Sequence, residues 1–193
     1  MNVGVLASGE GSNLQALLDD PEIEVVAVAS DKPDSRALER ARRAGVAAQA
    51  FEGPREERDR AIAGWLHERG VELVVLAGYM QLLSDEFLAA FPERVINVHP
   101  ALLPAFPGLR AVQQALDYGV KVFGVTVHFV DGGVDTGPVI LQRAIELPDV
   151  RTEADVFAYL HPIEHELLPA AVRLIARGAV KVEGRRVVVE SGA

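Results

Sequence analysis

Apolar residues along the chain fall into short uninterrupted runs, separated by stretches in which they recur three and four positions apart. Val3 to Ala7 is a run of strand length ending in Ser8-Gly9-Glu10-Gly11-Ser12-Asn13, after which Leu14, Leu17 and Leu18 return at helical spacing. Ile23 to Ala29 predicts a second strand, and Ser35 to Ala44 an Arg-rich amphipathic helix stopped by Gly45. A weaker strand near Val46 to Ala50 leads to a charged helix from about Arg55 to Arg69, closed by Gly70. Leu73 to Ala77 and Val95 to Val98 have the pattern of buried strands, and Ser84 to Phe91 between them predicts a short helix with Ser84 as its N-cap. Pro100, Pro104 and Pro107 mark a loop, followed by a helix from Ala111 to Tyr118 and a strand from Val122 to Val130. Asp131-Gly132-Gly133 predicts a sharp turn, Val139 to Ile145 a strand, Glu153 to Arg177 a long helix, and Val180 to Val189 around Gly184 a small hairpin.

Strands alternating with helices predict an α/β domain: a three-layer sandwich with a mostly parallel twisted sheet and antiparallel additions near the C-terminus. There is no repeat or linker, so residues 1–193 are expected to form a single domain. In such sheets ligands bind beyond the carboxyl ends of the strands, so informative residues should sit just after strands.

Composition narrows the function classes. With 49% hydrophobic and 24% charged residues, the chain has the make-up of an ordinary soluble globule. The absence of cysteine excludes a disulfide scaffold, a zinc finger, a thiol nucleophile and a redox sensor. The net charge of −9 argues against a general nucleic-acid binder. Met1-Asn2 runs straight into a strand pattern with no secretory signal, which predicts a cytoplasmic protein with no membrane partner. Asparagine occurs only as Asn2, Asn13 and Asn97, and Arg outnumbers Lys sixteen to three, a sparing use of labile side chains that fits heat adaptation or genome base composition.

Four segments carry candidate chemistry. Gly9-Glu10-Gly11-Ser12-Asn13 is a glycine-rich turn opening a helix, where backbone N–H groups and the helix dipole favour a phosphate. The dinucleotide fingerprint would need a third glycine where Leu14 stands, although Asp31 lies about where a ribose-binding acid belongs. Asn97-Val98-His99-Pro100 ends a buried strand, and alternation puts Asn97 and His99 on one side. A carboxamide and an imidazolium aimed together can hold an oxyanion, as acyl transfer requires. A core histidine beside a turn-capping asparagine is the competing reading. His128 to Gly137 is a strand running into a tight loop, in which Asp131 and Asp135 are either ligand-facing or turn formers. His161-Pro162-Ile163-Glu164-His165 has the H-x-x-E-H spacing of some zinc peptidases. Such a site would need a third ligand downstream, where Glu166 is too close and Glu183 and Glu190 fall near the hairpin, so no metal is expected. There is no G-x-S-x-G elbow and no P-loop lysine. Tyr79, Met80 and the leucines after them could line a pocket for a flat heterocycle.

Taken together, these segments resemble the phosphoribosylglycinamide formyltransferases, folate-dependent enzymes of purine synthesis. The likeness is carried by Val5-Leu-Ala-Ser-Gly-Glu-Gly-Ser-Asn-Leu-Gln15, Val74-Val-Leu-Ala-Gly-Tyr-Met80, Ile96-Asn-Val-His-Pro-Ala-Leu-Leu-Pro-Ala-Phe-Pro-Gly108, Gly124-Val-Thr-Val-His-Phe-Val-Asp131, Asp135-Thr-Gly-Pro-Val-Ile140 and Glu164-His165. The Asn-His-Asp set is shared with other formyl-handling enzymes, and the phosphate loop with this length narrows the match. The resemblance implies a Rossmann-like formyltransferase fold, with a nucleotide-phosphate half of about 1–100, a folate and catalytic half of about 97–180, and a hairpin at about 180–190. It implies transfer of a formyl group from 10-formyltetrahydrofolate, a cosubstrate, to the amine of glycinamide ribonucleotide, by a monomer or homodimer. Gly11, Ser12 and Asn13 would hold the substrate phosphate and Glu164 would contact the nucleotide. Arg55, Met80, Gln81, Leu82, Leu83, Asn97 and the loop Asp131, Gly132, Gly133, Val134 and Asp135 would hold the folate. Asn97, His99 and Asp135 would be catalytic. In chemical terms protonated His99 and Asn97 would hold the oxyanion, with Asp135 keeping His99 charged and helping to move the amine's proton.

The chain departs from the family pattern at Ala105, at Leu109-Arg110-Ala111-Val112, at Gln81, where a basic residue is common, and at Glu10, expected to face outward. Rival readings are a formyltetrahydrofolate hydrolase using the same triad, a tRNA-formylating relative, a non-catalytic nucleotide-binding module and a redox protein. The hydrolases usually carry an extra N-terminal domain and the tRNA enzymes a C-terminal one, and neither is expected here.

Overall fold

A computed structural model describes residues 1–190. The strands are β1 (Asn2–Leu6), β2 (Glu24–Ser30), β3 (Ala47–Ala50), β4 (Leu73–Leu76), β5 (Val95–His99), β6 (Val122–Phe129), β7 (Val139–Glu146), β8 (Val180–Glu183) and β9 (Arg186–Val189). The helices are α1 (Ser12–Leu18), α2 (Arg36–Arg43), α3 (Arg55–His67), α4 (Asp85–Ala90), α5 (Ala111–Tyr118) and α6 (Glu153–Ala176). The large sheet is seven-stranded, in the order β3-β2-β1-β4-β5-β6-β7, and β8-β9 form a separate antiparallel pair. This is the mostly parallel α/β fold expected from the alternation, with element ends moved by a residue or two. Among the described residues no helix is long and apolar enough to cross a membrane.

The chain divides into two compact units, Met1–Asn97 and Val98–Ala193. In the first, β1 pairs in parallel with β2 on one side and β4 on the other, β3 adds to β2, and β5 adds to β4. Both faces of β1 and β4 are covered, which explains their unbroken apolar runs: Val3, Val5, Leu6, Leu73, Val74, Val75 and Leu76 are all buried. The strand order reverses between β1 and β4, the place in such sheets beyond whose carboxyl ends ligands bind. Ser8 N–H donates to the Gly78 carbonyl at 3.1 Å and Met80 N–H to Ser8 Oγ at 2.9 Å, tying the two loops at that point.

In the second unit β6 and β7 are antiparallel, with an irregularity between Val127 and His128 that re-aims the end of β6. Helix α6 starts with a capping box between Thr152 and Asp155 and keeps Pro162 and Pro169 in its interior. Its inward stripe of Val156, Leu160, Ile163, Leu167, Leu168, Ala171, Val172 and Ile175 supplies enough burial to offset the two missing N–H donors.

Candidate active site

Gly11 occupies the left-handed region at φ 72° and caps α1, and no side chain caps that helix. A Cβ at Gly11 would lie 2.8 Å from Ala37 Cα, so both conformation and space restrict the position to glycine. Helix α2 braces the loop: Ala37 N–H and Ser35 Oγ donate to the Gly9 carbonyl at 3.1 and 3.0 Å, and Arg40 Nε donates to the Glu10 carbonyl at 2.8 Å. Glu10 is exposed as expected, with its carboxylate 2.7 Å from Arg36. Ser12 and Asn13 form the first turn of α1 behind this brace. Asp31 is engaged rather than open, since Oδ2 accepts from Gln81 Nε2 at 2.9 Å.

The loop after β4 is held from α3. Arg55 donates to the Leu83 carbonyl, Arg58 Nη1 lies 3.4 Å from Gln81 Oε1, and Asp59 Oδ2 accepts from Ser84 N–H at 2.7 Å. Arg58 and Asp59 are themselves buried and paired at 2.9 Å. Arg55, Gln81, Leu82 and Leu83 are therefore brought together, with Met80 and Leu82 as apolar side chains more than half exposed. Sequence reading missed Arg58 and Asp59 by treating α3 simply as charged. Their signal was position, because Arg58 precedes Ile62 and Leu66 on the buried stripe at helical spacing.

The carboxyl end of β5 presents half-buried Asn97 and buried His99 two residues apart. Around His99 the second unit builds a line of polar groups. His99 Nε2 faces the Phe106 carbonyl at 2.8 Å, and since a carbonyl only accepts, that nitrogen carries the N–H. Nδ1 faces Asp135 Oδ2 at 3.4 Å. The other carboxylate oxygen, Oδ1, lies 3.5 Å from His128 Nε2, and His128 Nδ1 is fixed on the Phe129 carbonyl at 2.7 Å. Gly108 N–H donates to Asp135 Oδ2 at 2.7 Å, so the proline-rich loop supplies one backbone group to His99 and one to Asp135.

That loop is anchored by Thr126, fully buried on β6, whose Oγ1 donates to the Ala101 carbonyl at 2.6 Å and accepts from Leu103 N–H at 3.2 Å. Gln142 on β7 donates to both Thr126 Oγ1 and the Leu103 carbonyl, each at 2.9 Å, and the Leu103–Pro104 peptide is cis. His128, Thr126 and the Phe106 and Gly108 backbone groups were not anticipated. For His128 the signal was period-two alternation with Thr126 along β6.

Asp135 sits at φ 53°, a conformation that a non-glycine residue holds only when its surroundings over-determine it. Burial pushes its carboxyl up, but His128, the Gly108 N–H and His99 together bring it down to about 2, so it is ionised. His99 behaves otherwise. Burial holds it below the ordinary imidazole range, Asp135 and the Phe106 carbonyl only partly offset this, and His128 adds to the lowering. The expectation that Asp135 keeps His99 charged is thereby corrected: desolvation outweighs the carboxylate, and the resting ring is inclined to be neutral.

In the glycine loop, Asp131 is a turn former, its Oδ1 accepting from Gly133 N–H at 3.1 Å and Thr136 Oγ1 at 2.6 Å. Gly137 is required by space, because a Cβ there would fall 1.8 Å from the Phe129 carbonyl oxygen. Gly132 and Gly133 complete the turn, and Val134 is exposed. Glu164 is buried on α6, with Oε2 3.0 Å from His161 Nδ1. The H-x-x-E-H segment thus spends that imidazole nitrogen on its own glutamate.

Comparison with known proteins identifies the family. The sequence profile described as "Formyl transferase" matches residues 1–172. A solved structure of glycinamide ribonucleotide transformylase 1 from Symbiobacterium toebii superposes with a TM-score of 0.95 at 48% identity, covering 98% of this chain and 93% of that one. Phosphoribosylglycinamide formyltransferase of Mycobacterium tuberculosis H37Rv is 44% identical over 94% of this chain and 87% of its own. The Bacillus subtilis protein of the same name is 41% identical over 88% of this chain and 91% of its own. The chain belongs to the formyl transferase family.

Proposed function

We propose that this enzyme transfers the formyl group of 10-formyltetrahydrofolate to the amine of glycinamide ribonucleotide, in purine biosynthesis, giving N-formylglycinamide ribonucleotide and tetrahydrofolate. The observation that carries the reading is the line of buried His99, part-buried Asp135 and buried His128 beyond the end of β5, in a chain of this family. An ionised carboxylate between two imidazoles is suited to moving one proton, while Asn97 on the same strand offers a neutral donor.

The donor, a cosubstrate, supplies an activated formyl carbon. Its folate portion is assigned to Met80, Gln81, Leu82, Leu83 and the Asp131–Asp135 loop, with Arg55 toward its acidic tail; the exposed apolar faces of Met80 and Leu82 suit a flat ring. Gly11, Ser12 and Asn13 hold the nucleotide's phosphate, and Glu164 contacts the nucleotide. As the amine attacks, a C–N bond forms and the formyl oxygen takes negative charge, stabilised by Asn97. The amine's proton passes to His99 on its Nδ1 side, where the 3.4 Å gap to Asp135 leaves room for transfer, directly or through water. His99 becomes cationic at the moment the negative charge develops, although burial keeps the resting ring neutral. The proton then goes to the departing donor nitrogen as its C–N bond to the formyl carbon breaks. No step needs a metal.

The test is to supply formyl donor and glycinamide ribonucleotide separately and together. Deformylated folate only when both are present is the expected result. Formate from the donor alone would make the protein a hydrolase, and no turnover with either would overturn the reading.

A further inference from the structure

Helix α6 carries a row of rings that the mechanism does not use. Phe157 and His161 stack at 5.0 Å between centroids and 19° between planes, and His161 and His165 at 6.0 Å and 6°. The three are four residues apart, so they share one helix face. His161 is nearly half exposed, yet its Nδ1 lies 3.0 Å from the carboxylate of Glu164, which is 4% exposed. A buried carboxylate in the proposed substrate site is thus gripped by an imidazole held flat between two rings.

We propose that His161 is a positioning residue for acceptor recognition: its ring fixes the Glu164 carboxylate in the orientation that reads the nucleotide. This rests on the proposed function, in which Glu164 contacts the acceptor. The grip depends on charge, because an imidazolium adds Coulomb attraction to the hydrogen bond. The two stacked histidines are biased oppositely. The hydrogen bond to Glu164 pushes His161 up from the ordinary imidazole range, whereas burial pushes His165 down. Two cationic rings face to face would repel, so Glu164 selects His161 as the charged one.

Other charges lie on the elements packed against α6. His99 on β5 feels Glu164. Of the elements packed on α6, β6 carries His128, β7 carries Arg143 and Glu146, and α5 carries Asp117. Arg143 is taken by Glu166, Asp117 by Gln113, and His128 faces Asp135. The prediction is therefore specific to His161. Its charge is present below the ordinary imidazole range and lost as pH rises through the raised value, so the grip loosens on the alkaline side.

The experiment measures KM for glycinamide ribonucleotide and kcat from pH 5.5 to 8.5 for the wild-type chain, His161→Gln and His161→Arg, with the imidazole of His161 titrated by NMR. Expressing each variant as a ratio to wild type cancels titration of the substrate and of His99. His161→Gln should raise KM ~5- to 10-fold at low pH, with the ratio shrinking toward one as wild-type His161 deprotonates and kcat within about twofold throughout. His161→Arg, always charged, should hold KM low into the alkaline range. A variant-to-wild-type KM ratio that is flat with pH, or an NMR titration of His161 unmoved by Glu164→Gln, would overturn the proposal. Absence of acceptor-dependent turnover in the wild-type chain would instead remove the functional reading beneath it.

Discussion

At the scale of single residues, the site separates groups that bear charge from groups that fix geometry. Replacing Asn97, His99 or Asp135 with Ala should lower turnover by more than ~100-fold each, since each loses an interaction made with developing charge or a moving proton. Steady-state assays with saturating substrates check this, and near-normal kcat in any variant would remove that residue from the catalytic set. His128 is a different case, because it faces Asp135 and lies outside the proposed catalytic set. His128→Gln removes one partner of a charged hydrogen bond of about 1.5–3 kcal/mol, so kcat should fall ~10- to 100-fold. The acid limb of the kcat profile should also shift, because Asp135 loses one of the groups that hold it near 2. A profile of unchanged shape would leave His128 a purely structural residue. Asn97 and His99 were legible as candidates because they close a strand pattern two residues apart, and Asp135 because it sits among glycines in the loop after β6, but only the family resemblance joined the three into one set. The charge state of His99 was not, because desolvation depends on what the Pro100–Arg110 loop covers, and no spacing rule reports that.

At the scale of elements, nearly every strand and helix was readable from apolar periodicity, and boundaries moved only where caps decide them. Ser35 was read as the start of α2. It is the N-cap by position, but its hydroxyl is spent on the Gly9 carbonyl, a contact between elements 26 residues apart that local pattern cannot express. Ser84 was read as a cap and is one, its Oγ accepting from Phe87 N–H at 3.2 Å, because capping is a local interaction. Helix α3 shows the opposite. The pattern predicted only a charged helix, yet Arg58 and Asp59 lie inside and hold the loop of Gln81 to Ser84. Removing one partner of a buried ion pair leaves the other uncompensated, so Asp59→Ala should cost about 3–5 kcal/mol and lower Tm by roughly 6–20 °C. Thermal unfolding checks the first part. The second is an increase in KM for the formyl donor larger than that for the acceptor, as expected if this helix sets the donor loop; equal effects on both would restrict the pair to stability.

Across the whole molecule, the composition now has a physical reading. A chain that uses only three asparagines places one in the first turn of α1 and one beside His99 on β5, and acyl transfer without cysteine falls to imidazole, carboxamide and carboxylate. The same titratable groups link activity to stability through pH. Asp135, held at about 2 against an ordinary 3.8, contributes stability that is full above the ordinary value and lost as pH falls through about 2, roughly 2 kcal/mol in all. His99 has the same sign at higher pH. Its neutral form is favoured in the fold, so stability is present above the ordinary imidazole value and drains away as acid protonates the unfolded chain first. His161 opposes this, because its raised value stabilises the fold on the acid side and loses that contribution as pH rises. Denaturant unfolding of the wild-type chain from pH 8 to 5 should therefore show opposed contributions, from His99 and His165 on one side and His161 on the other. His99→Asn should flatten the acid-side decline and His161→Gln should steepen it. If both variants shift the curve in one direction, the opposed assignment of the two histidines fails. The His99 part can then be isolated in Asp135→Asn, where loss of the opposing carboxylate should make the ring harder still to protonate and the acid decline steeper than in the wild-type chain.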